Sequence, residues 1–576
     1  MNLQLLHIIM EQPQLKKGLF KGHYGIEKEN VRVTDDGLLA LSKHPAVFGD
    51  KLYNPYFYND FSESQVELIT PVFDNLPDAY HFLSTINDLF MNNIGDELLW
   101  PQSAPPILPE EALIPIADFG KSEIGIERRR YREVLAKRYG KKKQMISGIH
   151  YNYSFDSDFI DDLYAKSKTE KSFIDFKNSL YLKISRNFIK YAWLPTYLFG
   201  ASPATDSTYM KCCVEHMAFT SKGDPYFEYA TSIRNGVCGY RNNNNYIISY
   251  DSVNQYIEEL QALIGTGKIQ NEKEYYSPIR LKTHSSDNFM RTLKEEGITY
   301  IEIRLLDIDP FDYNGISLDT MRFMHLFLLF LLFKEEDCFG EELHQISLDN
   351  YEMVAGKGRT PNLEIKKHMN ESIKLSTWGS ELLIELKEMM EAFGFLDAED
   401  HIFLNQYINE FLDPSISKSA KILKGVKADG YTDWHLNLSR QHLAYSKVKP
   451  YILKGCETLE LSTQILIKDA IKRGIKVEIL DEVENFIMLR KDNHVEYIKQ
   501  ATKTSLDTYN SFLIMENKVV TKEILDRAGI SVPKGGVYSS MDEAMDAYDS
   551  YAKKAFVIKP KSTNFGIGIT IFKNGA

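Results

Sequence analysis

Apolar and polar positions alternate through residues 22–33, GHYGIEKENVRV, and the same short period recurs over 65–70, predicting a strand in each. Elsewhere the period lengthens. Residues 1–20 read as helical, and PDAYHFLSTINDLFMNNIGDEL (77–98) repeats its apolar side chains at helical spacing. The same reading predicts helices near 123–139, 169–193, 317–335, 376–394 and 399–411. It predicts strands over 145–155 (MISGIHYNYSF) and 298–306 (ITYIEIRLL). Several strands follow one another without an intervening helix, which favours an α+β fold over a doubly wound one. The most apolar run, FMHLFLLFLLF, covers only residues 323–333, too short to span a bilayer, and reads as a buried core helix.

The character of the chain changes near 470–515. IKRGIKVEIL closes a helix, stops it at a glycine and opens a short strand. NKVVTKEILDRAGISVPKG (517–535) and KKAFVIKPKSTNFGIGITIF (553–572) then look like the start of another domain. A chain of 576 residues exceeds what one core serves, so two or more domains are expected. The expected division is 1–470, a connecting region 471–515, and an incomplete domain over 516–576 that stops just after a KNG turn signal.

Composition narrows the class. At 43% hydrophobic and 26% charged residues, a disordered or fibrous chain is excluded. A net charge of −12 argues against a nucleic-acid partner. Five cysteines without a CxxC pair make disulfides unexpected and fit a reducing cytoplasm. The N-terminus lacks a basic region and a small-residue cleavage site, so no signal peptide is expected, and no membrane partner either.

The candidate chemistry lies in short strands that offer polar groups to one face. Glu27 and Glu29 stand two apart, so their side chains share a face at a spacing of about 6.5–7 Å. His150, Asn152 and Ser154 share one, as do Glu302 and Arg304, and YNDFSESQVELITP (58–71) adds Asp60, Glu63 and Glu67. One Glu-x-Glu pair ordinarily marks a solvated face; the signal is the combination. Inward-facing carboxylates need a cation. Carboxylates with a single histidine suit magnesium, with manganese as the alternative. ERRRYREVLAKRYGKKK (127–143) is a basic helix with Tyr131, Leu135 and Arg138 on one face. ATSIRNGVCGYRN (230–242) and YYSPIRLK (275–282) are turn-containing segments, each with an arginine suited to carboxylate or phosphate.

GIEKENVRV, DFSESQVELITP, YREVLAKRYG, MISGIHYNYSF, YLFGASPA, TSIRNGVCGY, YSPIR, YIEIRLLDIDPF and VAGKGRTP, in this order, resemble the motifs of glutamate–cysteine ligase in its proteobacterial-type branch. The resemblance runs from about residue 10 to 450. It implies a glutamine-synthetase-like fold, a curved antiparallel sheet forming a funnel with helices behind it. It implies an ATP-dependent ligation in which glutamate is phosphorylated on its γ-carboxylate and cysteine's amine attacks the acyl phosphate. Carried over, the motifs make Glu27, Glu29, Asp60, Glu67, His150 and Glu302 the magnesium ligands or their close supports. Arg304 would meet the transferring phosphate, and Gln144, Asn152 and Arg234 would hold glutamate or the γ-glutamyl group. Phe61, Tyr131, Leu135, Tyr240 and Tyr276 would line the cysteine pocket. Glu27, Arg234 and Arg304 are the expected catalytic residues. The chain holds no G-x-x-x-x-G-K-[ST] loop, so a P-loop is excluded and metal-bridged carboxylates are the other way to hold ATP. A homodimer is left open.

Residues 516–576 resemble the opening of an ATP-grasp ligase, of the kind fused to glutamate–cysteine ligases in some bacteria, where the second half adds glycine to give glutathione. Lys518 and Lys559 would be its nucleotide lysines, and Gly566 and Gly568 would let backbone N–H groups approach phosphate. That second activity is expected to be lost through truncation. Two rival readings remain at this stage: a non-catalytic protein that binds metal and glutamate, and a glycoside hydrolase using Glu27 and Glu29, whose spacing overlaps the inverting range of about 6.5–9.5 Å. The hydrolase reading leaves His150, Arg234 and Arg304 without roles.

Overall fold

A computed structural model describes residues 2–285, 288–450, 452–563 and 566–573. The chain divides into two compact units, residues 1–457 with 468–474, and residues 458–467 with 475–576.

The first unit is built on strands β1 (Gly22–Val33), β2 (Phe57–Asn59), β3 (Gln65–Ile69), β4 (Leu98–Leu99) and β5 (Ile149–Phe155). After a two-residue ribbon, β6 (Ala218–Phe219) with β7 (Pro225–Tyr226), come β8 (Ile279–Lys282) and β9 (Tyr300–Leu306). The main sheet runs β2-β3-β1-β5-β9-β8, with β4 on the far end of β1. Every pairing is antiparallel. An antiparallel sheet with many helices is the α+β arrangement read from the sequence.

Alternation along each strand separates two faces. Tyr24, Ile26, Ile149, Tyr151, Tyr153, Ile301 and Ile303 are all buried as core. Behind them lies the helix Leu318–Phe333, which holds the FMHLFLLFLLF run and is apolar around most of its circumference. Ser317 caps it by accepting from the Thr320 N–H, and its His325 lies 3.3 Å from the Tyr24 hydroxyl. Among the described residues, no helix is long and apolar enough to cross a membrane. The residues between these core positions point to the opposite face, where Glu27, Glu29, His150, Asn152, Glu302 and Arg304 stand.

Four readings need correction. Residues 1–20 form two helices, Asn2–Glu11 and Pro13–Leu19, because Pro13 lacks an N–H and opens a new helix at its first position. Residues 145–148 are not strand: a short 3₁₀ turn, Lys143–Met145, precedes the extended lead into β5. YYSPIRLK does not only turn; its second half is the edge strand β8, entered just after Pro278. Cys213 and Cys238 form a disulfide between chain segments 25 residues apart, which the odd cysteine count concealed.

Two further strands, β10 (Glu364–His368) and β11 (Glu371–Lys374), form a hairpin before the helix Leu375–Phe393. Gly474, at φ 71°, ends the helix Leu461–Lys472. In the second unit, β12 (Lys476–Asp481), β13 (Phe486–Lys491) and β14 (His494–Lys499) make an antiparallel sheet. The segment expected as a connection is thus mostly sheet. Helices Tyr509–Glu516, Lys518–Arg527 and Met541–Asp546 follow, then the hairpin β15 (Phe556–Ile558) and β16 (Thr570–Phe572).

Candidate active site

Register turns the separate strands into one site. On β1, Glu27 is paired with His150 of β5, and Glu29 with Glu67 of β3. On β9, Glu302 is paired with Asn152 of β5 on one side and Arg280 of β8 on the other. Four neighbouring strands therefore project acids and an imidazole onto one patch. His150 Nδ1 lies 3.1 Å from Glu27 Oε2, and Asn152 Nδ2 donates to Glu27 Oε1 at 3.0 Å. Ligand atoms of Glu27, His150 and Glu302 all lie within 4.8 Å of one another, and so do those of Glu29, Glu67 and His150. Asp60 is in neither group. It stands close enough that its charge raises the pKa of both Glu29 and Glu67.

The acids are not equivalent. Burial works against the Glu302 carboxylate, but Lys282, Arg304, His150 and Arg280 outweigh it and hold its pKa well below the usual range. Lys282 Nζ donates to Glu302 Oε1 at 3.1 Å and Arg304 Nη1 to Glu302 Oε2 at 2.9 Å. Burial likewise opposes Glu27, and its hydrogen bond with His150 helps bring its pKa down. Glu29 is pushed up to about 8 by burial and then by Asp60, although Gly148 N donates to its Oε2 at 2.8 Å. Glu67 goes well above its ordinary value, through burial and three neighbouring acids. His150 is pushed down to about 4, by burial and then by Arg304, so it is neutral at pH 7. Burial and the neighbouring acids thus favour the protonated forms of Glu29 and Glu67, and a divalent cation would compete with those protons. Carboxylate oxygens with one imidazole are a donor set that magnesium or manganese accepts.

The side-chain amide of Gln144 is buried with neither end hydrogen-bonded among the described residues, and Asn152 Oδ1, on the patch, has no partner either. Buried polar atoms left unpaired in a native fold call for a ligand or water. Phe61 and Leu135 belong to a buried apolar cluster against which Tyr131, Tyr240 and Tyr276 pack, and the last two rings are 4.4 Å apart between centroids. Arg234, Tyr240, Tyr276 and Arg304 line one cleft, open to solvent, with Asn242 and Tyr351. The geometry thus brings together metal-type donors, cationic groups, orphaned amides and an apolar wall.

A family model described as glutamate-cysteine ligase matches residues 7–269 and 264–354. The chain belongs to the glutamate–cysteine ligase family. The glutathione biosynthesis bifunctional protein GshAB of Clostridium perfringens is 44% identical over 570 residues, covering 99% of this chain and 72% of that protein. Its namesake from Listeria monocytogenes is 44% identical over 574 residues, covering 99% of this chain and 74% of its own. Among solved structures, a bifunctional glutathione synthetase from Pasteurella multocida matches with a TM-score of 0.78 and 36% identity, over 99% of this chain and 72% of the other. A glutamate–cysteine ligase from Francisella tularensis, crystallised with AMP, matches with a TM-score of 0.71 and 31% identity, over 79% of this chain and 93% of its own. Membership of a ligase family removes the ground for the glycoside hydrolase reading. A second model, of an ATP-grasp-like domain, matches residues 457–509, upstream of the stretch where the sequence motifs placed that domain.

Register and packing bring further residues into view, of which only Arg280 was singled out in the sequence, as suited to carboxylate or phosphate. Lys282 and Arg280 grip Glu302, and only the unrecognised strand β8 put them there. Arg132, hidden in a basic helix, donates from Nη2 to Asn59 O at 3.0 Å and from Nε to Asp60 O, and its guanidinium stacks on Phe119 at 4.5 Å. It thereby fixes the loop that carries Asp60 and Phe61. Conversely, Glu63 leaves the site: it pairs with Lys51 and accepts from the N–H groups of His44 and Asp118. Arg138 turns to the buried Glu274.

In the second unit, Lys518 Nζ donates to Thr563 O and its backbone N–H to Lys561 O at 3.1 Å, so it adjoins the loop after β15. Lys559 is exposed on that loop. Gly566 and Gly568 have φ of 75° and 73°, a backbone other residues adopt at a cost. Asn564 and Phe565, between them and Thr563, lie outside the described residues.

Proposed function

We propose that this chain joins glutamate to cysteine through an ATP-dependent γ-glutamyl phosphate, giving γ-glutamylcysteine as the first bond of glutathione. The observation that carries the reading is the patch itself: Glu27, Glu29, Glu67, His150 and Glu302 converge from four strands. Magnesium bound there would screen the triphosphate from these carboxylates and polarise the phosphoryl group. Glu27, Glu29, Glu67, His150 and Glu302 would hold it, with Asp60 as a nearby support.

The protein's own groups divide the remaining work. Arg304, pinned by Glu302, presents positive charge beside the patch and meets the phosphoryl oxygens. Arg234 and Asn152 hold the glutamyl end, and Gln144 supplies an amide to it. Phe61, Tyr131, Leu135, Tyr240 and Tyr276 form an apolar pocket that receives the cysteine side chain and keeps water from the acyl phosphate. In the ATP-grasp-like part, Lys518, Lys559, Gly566 and Gly568 are assigned to a second nucleotide.

Purified chain with ATP, magnesium, glutamate and cysteine tests the reading. Cysteine-dependent ADP release with γ-glutamylcysteine as product supports it. A folded chain that binds glutamate and magnesium without turnover sinks it and leaves a binding protein. Adding γ-glutamylcysteine and glycine to the same assay reads the second ligation separately.

A further inference from the structure

The Arg234 guanidinium occupies a defined seat. A Cβ built on Gly148 would come within 2.2 Å of Arg234 Cζ and Nε, so the guanidinium fills the space above that glycine. The same Gly148 gives its N–H to Glu29. Arg234 therefore reaches the acidic patch over a backbone that must carry no side chain.

The backbone of Arg234 is tied through Ser202 and Ser232 to Asp307, which directly follows β9 at Leu306 and stands three residues beyond Arg304. Its carboxylate is buried and fully engaged. Oδ2 accepts from the Ala201 N–H at 2.8 Å and the Ser202 hydroxyl at 2.7 Å, and Oδ1 accepts from the Ser232 hydroxyl at 3.0 Å. Ser232 Oγ in turn accepts from the backbone N–H and the side-chain Nδ2 of Asn235, at 3.1 and 3.0 Å. Asn235 Nδ2 also donates to Leu305 O at 2.8 Å, and the Tyr351 hydroxyl donates to Asn235 Oδ1 at 2.7 Å. The residues on both sides of Arg234 are thus tied to the end of β9. Arg234's own N–H faces Ser202 Oγ at 3.4 Å.

We infer that Asp307 is a positioning residue that sets where the Arg234 guanidinium stands relative to Glu29 and Arg304. It does so by bridging β9 to the 231–235 turn through Ser202 and Ser232. The two arginines then keep a constant separation because one buried carboxylate anchors both of their segments. The electrostatics agree: Arg234 is the strongest influence opposing the burial that raises the Asp307 pKa. The consequence for the reaction rests on the ligase reading above, in which Arg234 holds the glutamyl end.

Asp307→Asn keeps the shape and turns one acceptor into a donor against the Ala201 N–H or a serine hydroxyl. The expected result is a rise of about tenfold or more in KM for glutamate, with KM for ATP and cysteine unchanged. In an Arg234→Ala background the same substitution should add nothing further to the loss in kcat/KM for glutamate. Ser232→Ala, which removes one of the three bonds to Asp307 together with the two that Ser232 accepts from Asn235, should show an effect of the same kind and serves if Asp307→Asn does not fold. Additive losses in the double variant, or equal rises in all three KM values, overturn the inference. A crystal structure of the variant decides the placement without any assay: a guanidinium displaced from Gly148 supports it, an unmoved one overturns it. If wild type shows no cysteine-dependent turnover, the ligase reading falls, and the crystal structure still tests Asp307.

Discussion

His150 Nδ1 lies 3.1 Å from Glu27 Oε2, while its Nε2 lies 3.5 Å from Glu29 Oε1, so one imidazole stands between the two acids of a Glu-x-Glu strand. With its pKa pushed down to about 4, chiefly by burial, that imidazole is neutral at pH 7 and spaces the acids without neutralising them. Their positive partners are Lys282 and the arginines on one side and, under the proposed function, a bound cation on the other. Glu27→Gln keeps the side-chain shape and removes one charge. Turnover should fall by about 10²–10³-fold or more, with the unfolding midpoint close to wild type. Wild-type rates in this variant would contradict the role given to Glu27.

A cation that binds only the folded chain must stabilise it. Magnesium should raise the unfolding temperature in a concentration-dependent way, equivalent to about 2.7 kcal/mol at a hundred times Kd. Glu29→Gln combined with Glu67→Gln should diminish the magnesium-dependent increment, because it removes two of the three ligands of one donor group and leaves Glu27, His150 and Glu302. Differential scanning fluorimetry against magnesium concentration measures this. An undiminished shift in the double variant would place the cation elsewhere.

The acids of this site were legible in the sequence for a simple reason. A strand returns to the same face every second residue, so Glu27 with Glu29, His150 with Asn152 and Glu302 with Arg304 could each be grouped from spacing alone. The pairing of Glu27 with His150 and of Glu29 with Glu67 is a matter of register, which no single strand encodes. Motif order supplied what period could not. The edge strand β8 stayed hidden because four residues behind a proline carry too little pattern, and Lys282 was hidden with it, as was the placing of Arg280 beside Glu302. Asp60 reads like a ligand in sequence, but the loop held by Arg132 keeps it out of both donor groups. The Cys213–Cys238 pair gives no local signal, since nothing in the spacing of two lone cysteines says that their segments meet.

Leu135 is only 4% exposed and sits with Phe61 in the apolar wall assigned to cysteine. Leu135→Ala should raise KM for cysteine about tenfold, the scale of a lost apolar contact, and leave KM for glutamate unchanged. Steady-state kinetics with each substrate varied in turn checks this. A change confined to glutamate would remove Leu135 from the pocket.

The disulfide closes a loop of 25 residues and anchors Cys238, two positions before Tyr240. Chain-entropy reasoning gives a stabilisation of about 3 kcal/mol for a loop of this size. Reductant should therefore lower the urea midpoint of wild type and leave Cys213→Ser, already lacking the bond, where it was. Equal responses of the two proteins to reductant would show that the bond does not form in solution.

His435 makes the fold sensitive to acid. Burial holds its pKa down to about 3. Its Nδ1 lies 2.7 Å from Tyr431 O and so carries the proton, while Nε2 accepts from Gln102 Nε2 at 3.1 Å. The other end of that amide, Gln102 Oε1, accepts from the Ser103 N–H at 2.7 Å, so the amide cannot flip without losing this bond. A second proton on the imidazole would set donor against donor. Because the folded value lies below the unfolded value of about 6.5, the unfolded chain takes the proton first. The stability this neutral histidine allows is complete above about 6.5 and is lost as the pH falls toward the folded value, at about 1.4 kcal/mol per unit. Between neutrality and pH 5, wild type should lose about 2 kcal/mol more than His435→Gln, which cannot titrate there. Urea unfolding at the two pH values measures the difference, and parallel losses in both proteins would show that His435 is protonated within the fold.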